Sequence, residues 1–139
     1  MEWLEQSIFP VERSITPELV SLGTRAAAAE MIATGTTFAC DMYHFPESTA
    51  SELAGAGLRG IVTGPITEWP PAGDGSTDSG RIITELENLI RAGPIGPSSP
   101  SSTGRVQYGI ATHAVYTCSE ETLRRASELA KQTGAYLNI

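Results

Sequence analysis

The chain has 139 residues, 40% hydrophobic, 18% charged and 6% aromatic, with 16 acidic against 9 basic side chains and a net charge of −7. This describes one globular domain, long enough to bury about 70% of its unfolded surface. It argues against a nucleic-acid or anionic-membrane partner, because those need clustered Lys and Arg to displace counterions; here the basic residues are scattered arginines, with Lys131 the one lysine. No apolar run approaches the roughly 18 residues of a membrane span. Met1-Glu2-Trp3-Leu4-Glu5 lacks the basic start and apolar core of a secretory signal, so the expected setting is cytoplasmic.

In chain order, the first nine residues carry Trp3, Leu4, Ile8 and Phe9 on one side, as the tail of a helix that Pro10 should stop. Thr16-Pro17-Glu18 is a helix start: a hydroxyl N-cap, a proline preset at N1 and an acid at the positive end of the dipole. The helix should run to about Ala33, with Gly35 as its left-handed stop. Thr36 to Met42 follows as a nearly continuous apolar and β-branched strand, the pattern of a parallel strand covered on both faces.

A second cycle comes at once, with a short helix over Glu47 to Ala56 closed by Gly57 and a buried strand over Leu58 to Thr63. Pro65 to Gly80, rich in Gly and Pro, reads as a long surface loop. Arg81 to Ala92 is an amphipathic helix with Ile82, Ile83, Leu86, Leu89 and Ile90 as its stripe. Gly93 to Gly104 is a low-complexity connection. Arg105 to Thr112 is the third strand, Ser119 caps a helix through Thr133, and Ala135 to Ile139 opens a fourth strand. Cys40 and Cys118 stand in apolar stretches and read as buried free thiols; there is no CxxC pair.

Helices and strands in strict alternation predict right-handed crossovers and a parallel α/β sheet. A doubly wound, flavodoxin-like domain is one solution, but neither GxGxxG nor GxxxxGK[ST] is present. A segment of a (β/α)8 barrel is the other, and it concentrates polar residues at strand carboxyl ends. Asp41, Tyr43 and His44 follow the first strand; Thr112, His113, Tyr116 and Thr117 follow the third. Taken singly, His44 reads as an exposed loop imidazole and Glu12 as a solvated connector carboxylate. His113 is either a satisfied core histidine or a ligand-facing donor.

The strings Trp3-Leu4, Ile8-Phe9-Pro10-Val11-Glu12, Glu30-Met31-Ile32, Gly35-Thr36-Thr37, Asp41-Met42-Tyr43, Ala56-Gly57-Leu58-Arg59 and Thr112-His113-Ala114-Val115-Tyr116-Thr117-Cys118-Ser119 occur in this order, followed by Leu129-Ala130. Together they resemble the amidohydrolase superfamily, in its 5-methylthioadenosine/S-adenosylhomocysteine deaminase and chlorohydrolase branch. The resemblance implies part of a (β/α)8 barrel, about half of one: strands two to four and the start of five, with outer helices. It implies descent from a metal-dependent hydrolase that removes ammonia or chloride from a ring by attack of metal-bound hydroxide.

That family takes zinc or another divalent metal through a His-x-His pair after the first strand, histidines after the fifth and sixth, and an Asp after the eighth. None of these is in this chain, so no metal ligand, cofactor or catalytic residue is assigned to it and the chain alone should be inactive. The pair is expected upstream of Met1 and the fifth-strand histidine directly after Ile139. By the same resemblance Glu12 matches the carboxylate that binds ribose hydroxyls, His113 the fourth-strand histidine that contacts substrate, and Arg81 a long-loop arginine that binds the distal part of a nucleoside-like ligand. Gly64 stands where some deaminases carry a second substrate arginine. A barrel takes about 250 residues, so an arc of this length should expose sheet edges and associate with itself or with a complementary half.

Overall fold

The computed structural model describes residues 3–68, 79–94 and 104–139. The element order is a π-helical turn Leu4–Ile8, α1 Phe9–Glu12, α2 Pro17–Ala33, β1 Phe38–Met42, α3 Pro46–Gly55, β2 Arg59–Thr63, β3 Pro65–Ile66, α4 Ser79–Ala92, β4 Val106–Tyr108, β5 Ile110–Thr112, α5 Glu120–Thr133 and β6 Leu137–Asn138. Most of the Gly/Pro-rich loop expected at 65–80 and of the low-complexity connection expected at 93–104 lies outside the described residues.

Local chemistry explains the helix ends. Thr16, extended at φ −118°, accepts the Leu19 N–H on its side chain at 3.3 Å, and Pro17 opens α2 without wasting a donor. Ser119 does the same for α5 through the Thr122 N–H. At the far end of α2, Gly35 at φ +84° lets its own N–H reach the Ile32 carbonyl and the Thr36 N–H reach Met31. Gly57 at φ +81° repeats this arrangement after α3, with Leu58 bonding back to Leu53. Both turns feed the chain directly into a strand.

Pro10 does not stop the first helix. It occupies the first turn of α1, where no N–H is required of it, and the chain stays helical to Glu12.

Every strand pair is parallel. β1, β2 and β4 form one ladder and β3, β5 and β6 the other. The register is continuous from Gly60↔Val106 and Val62↔Tyr108 to Pro65↔Ala111 and Ile66↔Thr112. β2–β3 and β4–β5 are therefore two strands, each interrupted by a glycine, Gly64 and Gly109. The Gly109 N–H bonds the Val62 carbonyl across this crease at 3.0 Å. Among the described residues the sheet does not close on itself.

One face of the sheet is covered by helices. Val62, Val106 and Tyr108 pack with Ala28 of α2 and Ala50 and Leu53 of α3. Beyond the crease, Ile66 and Ile110 pack with Ile83 and Leu86 of α4 and Ala126 and Leu129 of α5. Leu89 and Ile90 of α4 touch both clusters.

β1 is not covered on both faces as its sequence suggests. Among the described residues it is hydrogen-bonded to β2 alone, and Phe38 remains 49% exposed on the row away from the helices. Cys40 shares that row and is exposed, whereas Cys118 is buried as expected. No helix among the described residues is long and apolar enough to cross a membrane.

Candidate functional site

In a parallel sheet the polar groups that can meet a ligand gather where the strands end in carbonyls, because the loops into the helices open there. Glu12 closes α1 beside this end, near Tyr43, which follows β1. The phenol of Tyr43 titrates above its ordinary value, first because it is partly buried, then because the Glu12 and Asp41 carboxylates face it.

Asp41 belongs to a different environment from the one its position after a strand suggests. It is inside β1, in register with Val62, on the row that faces the helices. Burial pushes its carboxyl up, and a hydrogen bond with the hydroxyl of Thr49 in α3 opposes the shift. Its Oδ2 is buried with no hydrogen-bond partner among the described residues. Asp41 ties β1 to α3 through its bond with Thr49. His44 is exposed, as expected, with its ring edge-on to Tyr43 at 5.1 Å.

His113 comes directly after β5, and its N–H extends the ladder to the Ile66 carbonyl at 2.9 Å. The side chain is exposed, which removes the core-histidine alternative. Its Nδ1 lies 3.0 Å from Thr117 Oγ1. Thr117 is buried in the turn before α5, and next to it the Cys118 thiol donates to the Ile66 carbonyl at 3.2 Å.

Arg81 stands in the first turn of α4 rather than in a loop, because the helix begins at Ser79. Its Nη1 meets Glu85 Oε1, one helical turn along, at 2.6 Å. The amino end of α4 reaches the same end of the sheet, since Ser79 hydrogen-bonds Glu68 just after β3. His113 thus follows β5 beside Thr117, Arg81 lies in the first turn of α4 beside Glu85, and Glu12 ends α1 near Tyr43.

Glu68 carried no signal in the sequence. Its carboxylate accepts from the Ser119 N–H, from Ser119 Oγ at 3.1 Å, from Thr122 Oγ1 at 2.6 Å and from Ser79 Oγ at 3.2 Å. These bonds hold its carboxyl below the usual carboxylate range, with the Thr122 hydroxyl as the largest cause. The backbone N–H of Glu68 also donates to the Thr117 carbonyl at 2.8 Å. Glu68 therefore braces the turn that carries His113.

The donor set does not suit a metal. Among the described residues no three His, Cys, Asp or Glu side chains converge. His113 has one nitrogen engaged with Thr117, and the buried sulfur of Cys118 is turned to a carbonyl.

Known proteins sharpen the reading. The chain is 37% identical over 130 residues to a 5-methylthioadenosine/S-adenosylhomocysteine deaminase of Syntrophobacter fumaroxidans, covering 94% of this chain and 28% of that protein. It is 36% identical to a 5'-deoxyadenosine deaminase of Methanosphaera stadtmanae, covering 99% of this chain and 30% of that protein. It superposes on the structure of an adenosine deaminase from Xanthomonas campestris with bound zinc at a TM-score of 0.77 and 31% identity, covering 97% of this chain and 29% of that one. A variant atrazine chlorohydrolase from Arthrobacter aurescens, solved with zinc and atraton, shares the fold at a TM-score of 0.73 and 15% identity. The chain spans about 30% of the length of the curated relatives it matches. The model of the Amidohydrolase family matches residues 1–139, and the chain belongs to that family.

Proposed function

We propose that this chain is the second-to-fourth-strand portion, with the opening of the fifth strand, of a (β/α)8 barrel that hydrolytically deaminates adenosine-type nucleosides. In this reading the chain supplies binding groups. Glu12 accepts hydrogen bonds from a ribose diol, His113 contacts the substrate, and Arg81 turns from Glu85 to the distal part of the ligand. Positioning groups without a nucleophile do not turn substrate over, so the chain alone is inactive and holds no stoichiometric metal.

The reading is supported by His113 directly after β5, Arg81 in the first turn of α4 and Glu12 near Tyr43 after β1, in a parallel sheet whose register continues through two glycine creases. Zinc in the Xanthomonas campestris structure supports a divalent metal in intact relatives.

The test is titration of 5'-deoxyadenosine into the isolated chain by NMR, with ammonia release and elemental analysis on the same sample. Saturable shifts at Glu12 and His113, without ammonia or a molar equivalent of metal, are expected. Turnover, a tightly bound metal, or shifts confined to another face would overturn the proposal.

A second reading, association with another copy or with a complementary half, draws on the exposed edges. Phe38 is 49% exposed at one edge, and Tyr136 and Ile139 are 60% and 68% exposed at the other. Such edges present unpaired strand groups beside apolar side chains. Light scattering at micromolar concentration decides it, and a well-behaved monomer would refute it.

A further inference from the structure

Three distances around one hydroxyl bear on where a proton sits. Thr117 Oγ1 is 3.0 Å from His113 Nδ1, 3.1 Å from the Ala114 carbonyl oxygen and 4.0 Å from Cys118 Sγ. Thr117 is 4% exposed, so bulk water does not substitute for any of these partners. A carbonyl oxygen has only lone pairs, and the Ala114 carbonyl, which also accepts the Thr117 N–H at 3.1 Å, has a second lone pair for the hydroxyl proton. The contact to His113 then requires a hydrogen on Nδ1. The opposite arrangement, with the hydroxyl donating to Nδ1, would set the threonine and carbonyl oxygens lone pair to lone pair at 3.1 Å. Cys118 does not reverse this, because its thiol proton is directed to the Ile66 carbonyl at 3.2 Å.

We infer that Thr117 is a positioning residue that fixes neutral His113 as the Nδ1–H tautomer, leaving Nε2 as a lone-pair acceptor. The chemical consequence is a preference for a ligand donor, a hydroxyl or an amino N–H, over a carbonyl or an unprotonated ring nitrogen at that position. This specificity rests on the reading of His113 as substrate-facing; the tautomer itself does not. It also replaces the expectation of a donor at His113 with an acceptor. Glu68 supports the device by holding the Thr117 carbonyl from the other side of the turn.

The experiment is a long-range proton–nitrogen correlation spectrum of the 15N-histidine-labelled chain, about two pH units above the ordinary histidine pKa of about 6.5. His44, exposed and outside this turn, is the internal reference. The expected result is a protonated, pyrrole-type Nδ1 and a pyridine-type Nε2 for His113. Thr117→Val, which keeps shape and removes the hydroxyl, should move His113 toward the Nε2–H form, and Thr117→Ser should restore the original pattern. An Nε2–H histidine in the unaltered chain overturns the inference, and so does an unchanged tautomer in a folded Thr117→Val protein. If the tautomer is as stated but 5'-deoxyadenosine moves neither nitrogen of His113, the substrate-binding proposal fails and the tautomer assignment stands.

Discussion

The Glu68 carboxylate, two residues past β3, accepts a 2.6 Å hydrogen bond from the hydroxyl of Thr122 in the first turn of α5. It sits at the amino end of that helix, where free N–H groups and the dipole favour a negative charge. Glu68→Ala should cost about 1–2 kcal/mol, from lost charge-assisted bonds discounted for partial exposure. Chemical denaturation measures this. The pH dependence has a definite sign. Folding lowers this carboxyl below its ordinary 4.5, so the stabilisation is complete above that value and disappears as pH falls through the folded pKa. Glu68→Ala should therefore flatten the acid limb of the stability curve, and an unchanged limb would contradict the assignment.

The two crease glycines should respond differently to the same substitution. A Cβ on Gly109 would lie 2.7 Å from Ile61 Cγ2 and 3.2 Å from the Tyr136 carbonyl oxygen. A Cβ on Gly64 would meet nothing nearer than 3.9 Å. Gly109→Ala should destabilise by about 1–3 kcal/mol, and Gly64→Ala should stay within about 0.5 kcal/mol. Adding Ile61→Ala to Gly109→Ala should recover part of the loss in a double-mutant cycle. Strict additivity would show that the side-chain clash is not the cause.

Tyr43 reports on Glu12. Its phenol is raised partly by the Glu12 carboxylate, so Glu12→Gln should lower the Tyr43 pKa toward the ordinary 10. Carbon-13 titration of the labelled phenol carbon reads the shift directly. A Tyr43 pKa that rises or stays fixed would separate the two residues in solution.

Tyr108 sets the alkaline limit. Burial, reinforced by Glu47, pushes its hydroxyl up to about 12. The unfolded chain gives up this proton first, near pH 10, so stability should fall as pH rises from about 10 to about 12. Tyr108→Phe should reduce that slope in denaturation midpoints measured across the range.

The sequence exposed what is decided locally. Thr16 and Ser119 announce their helices because a cap needs only its own next three residues, and Gly35 and Gly57 mark stops because few other residues enter left-handed backbone cheaply. Pro10 misled because a proline in a first turn and a proline beyond a last turn look alike in a string of letters.

Cys40 was misplaced for a different reason. Apolar composition states what a strand could bury, not how many neighbours it has, and among the described residues β1 lies at an edge. Glu68 left no trace because its partners are 11, 51 and 54 residues away and are assembled by the crossover topology alone. Glu12, Arg81 and His113 are proposed as binding groups from family likeness, whereas the contact of Thr117 with His113 requires coordinates.

The sharing of Leu89 and Ile90 between the two apolar clusters has a consequence for cooperativity. The sheet carries one cluster on each side of its crease, and these two side chains of α4 belong to both. They act as a coupling bolt between two regions that could otherwise melt at separate temperatures. Native-state hydrogen exchange should place α4 in the slowest, globally opening class. Truncating the pair to alanine should split one unfolding transition into two, with the crease as the line of separation.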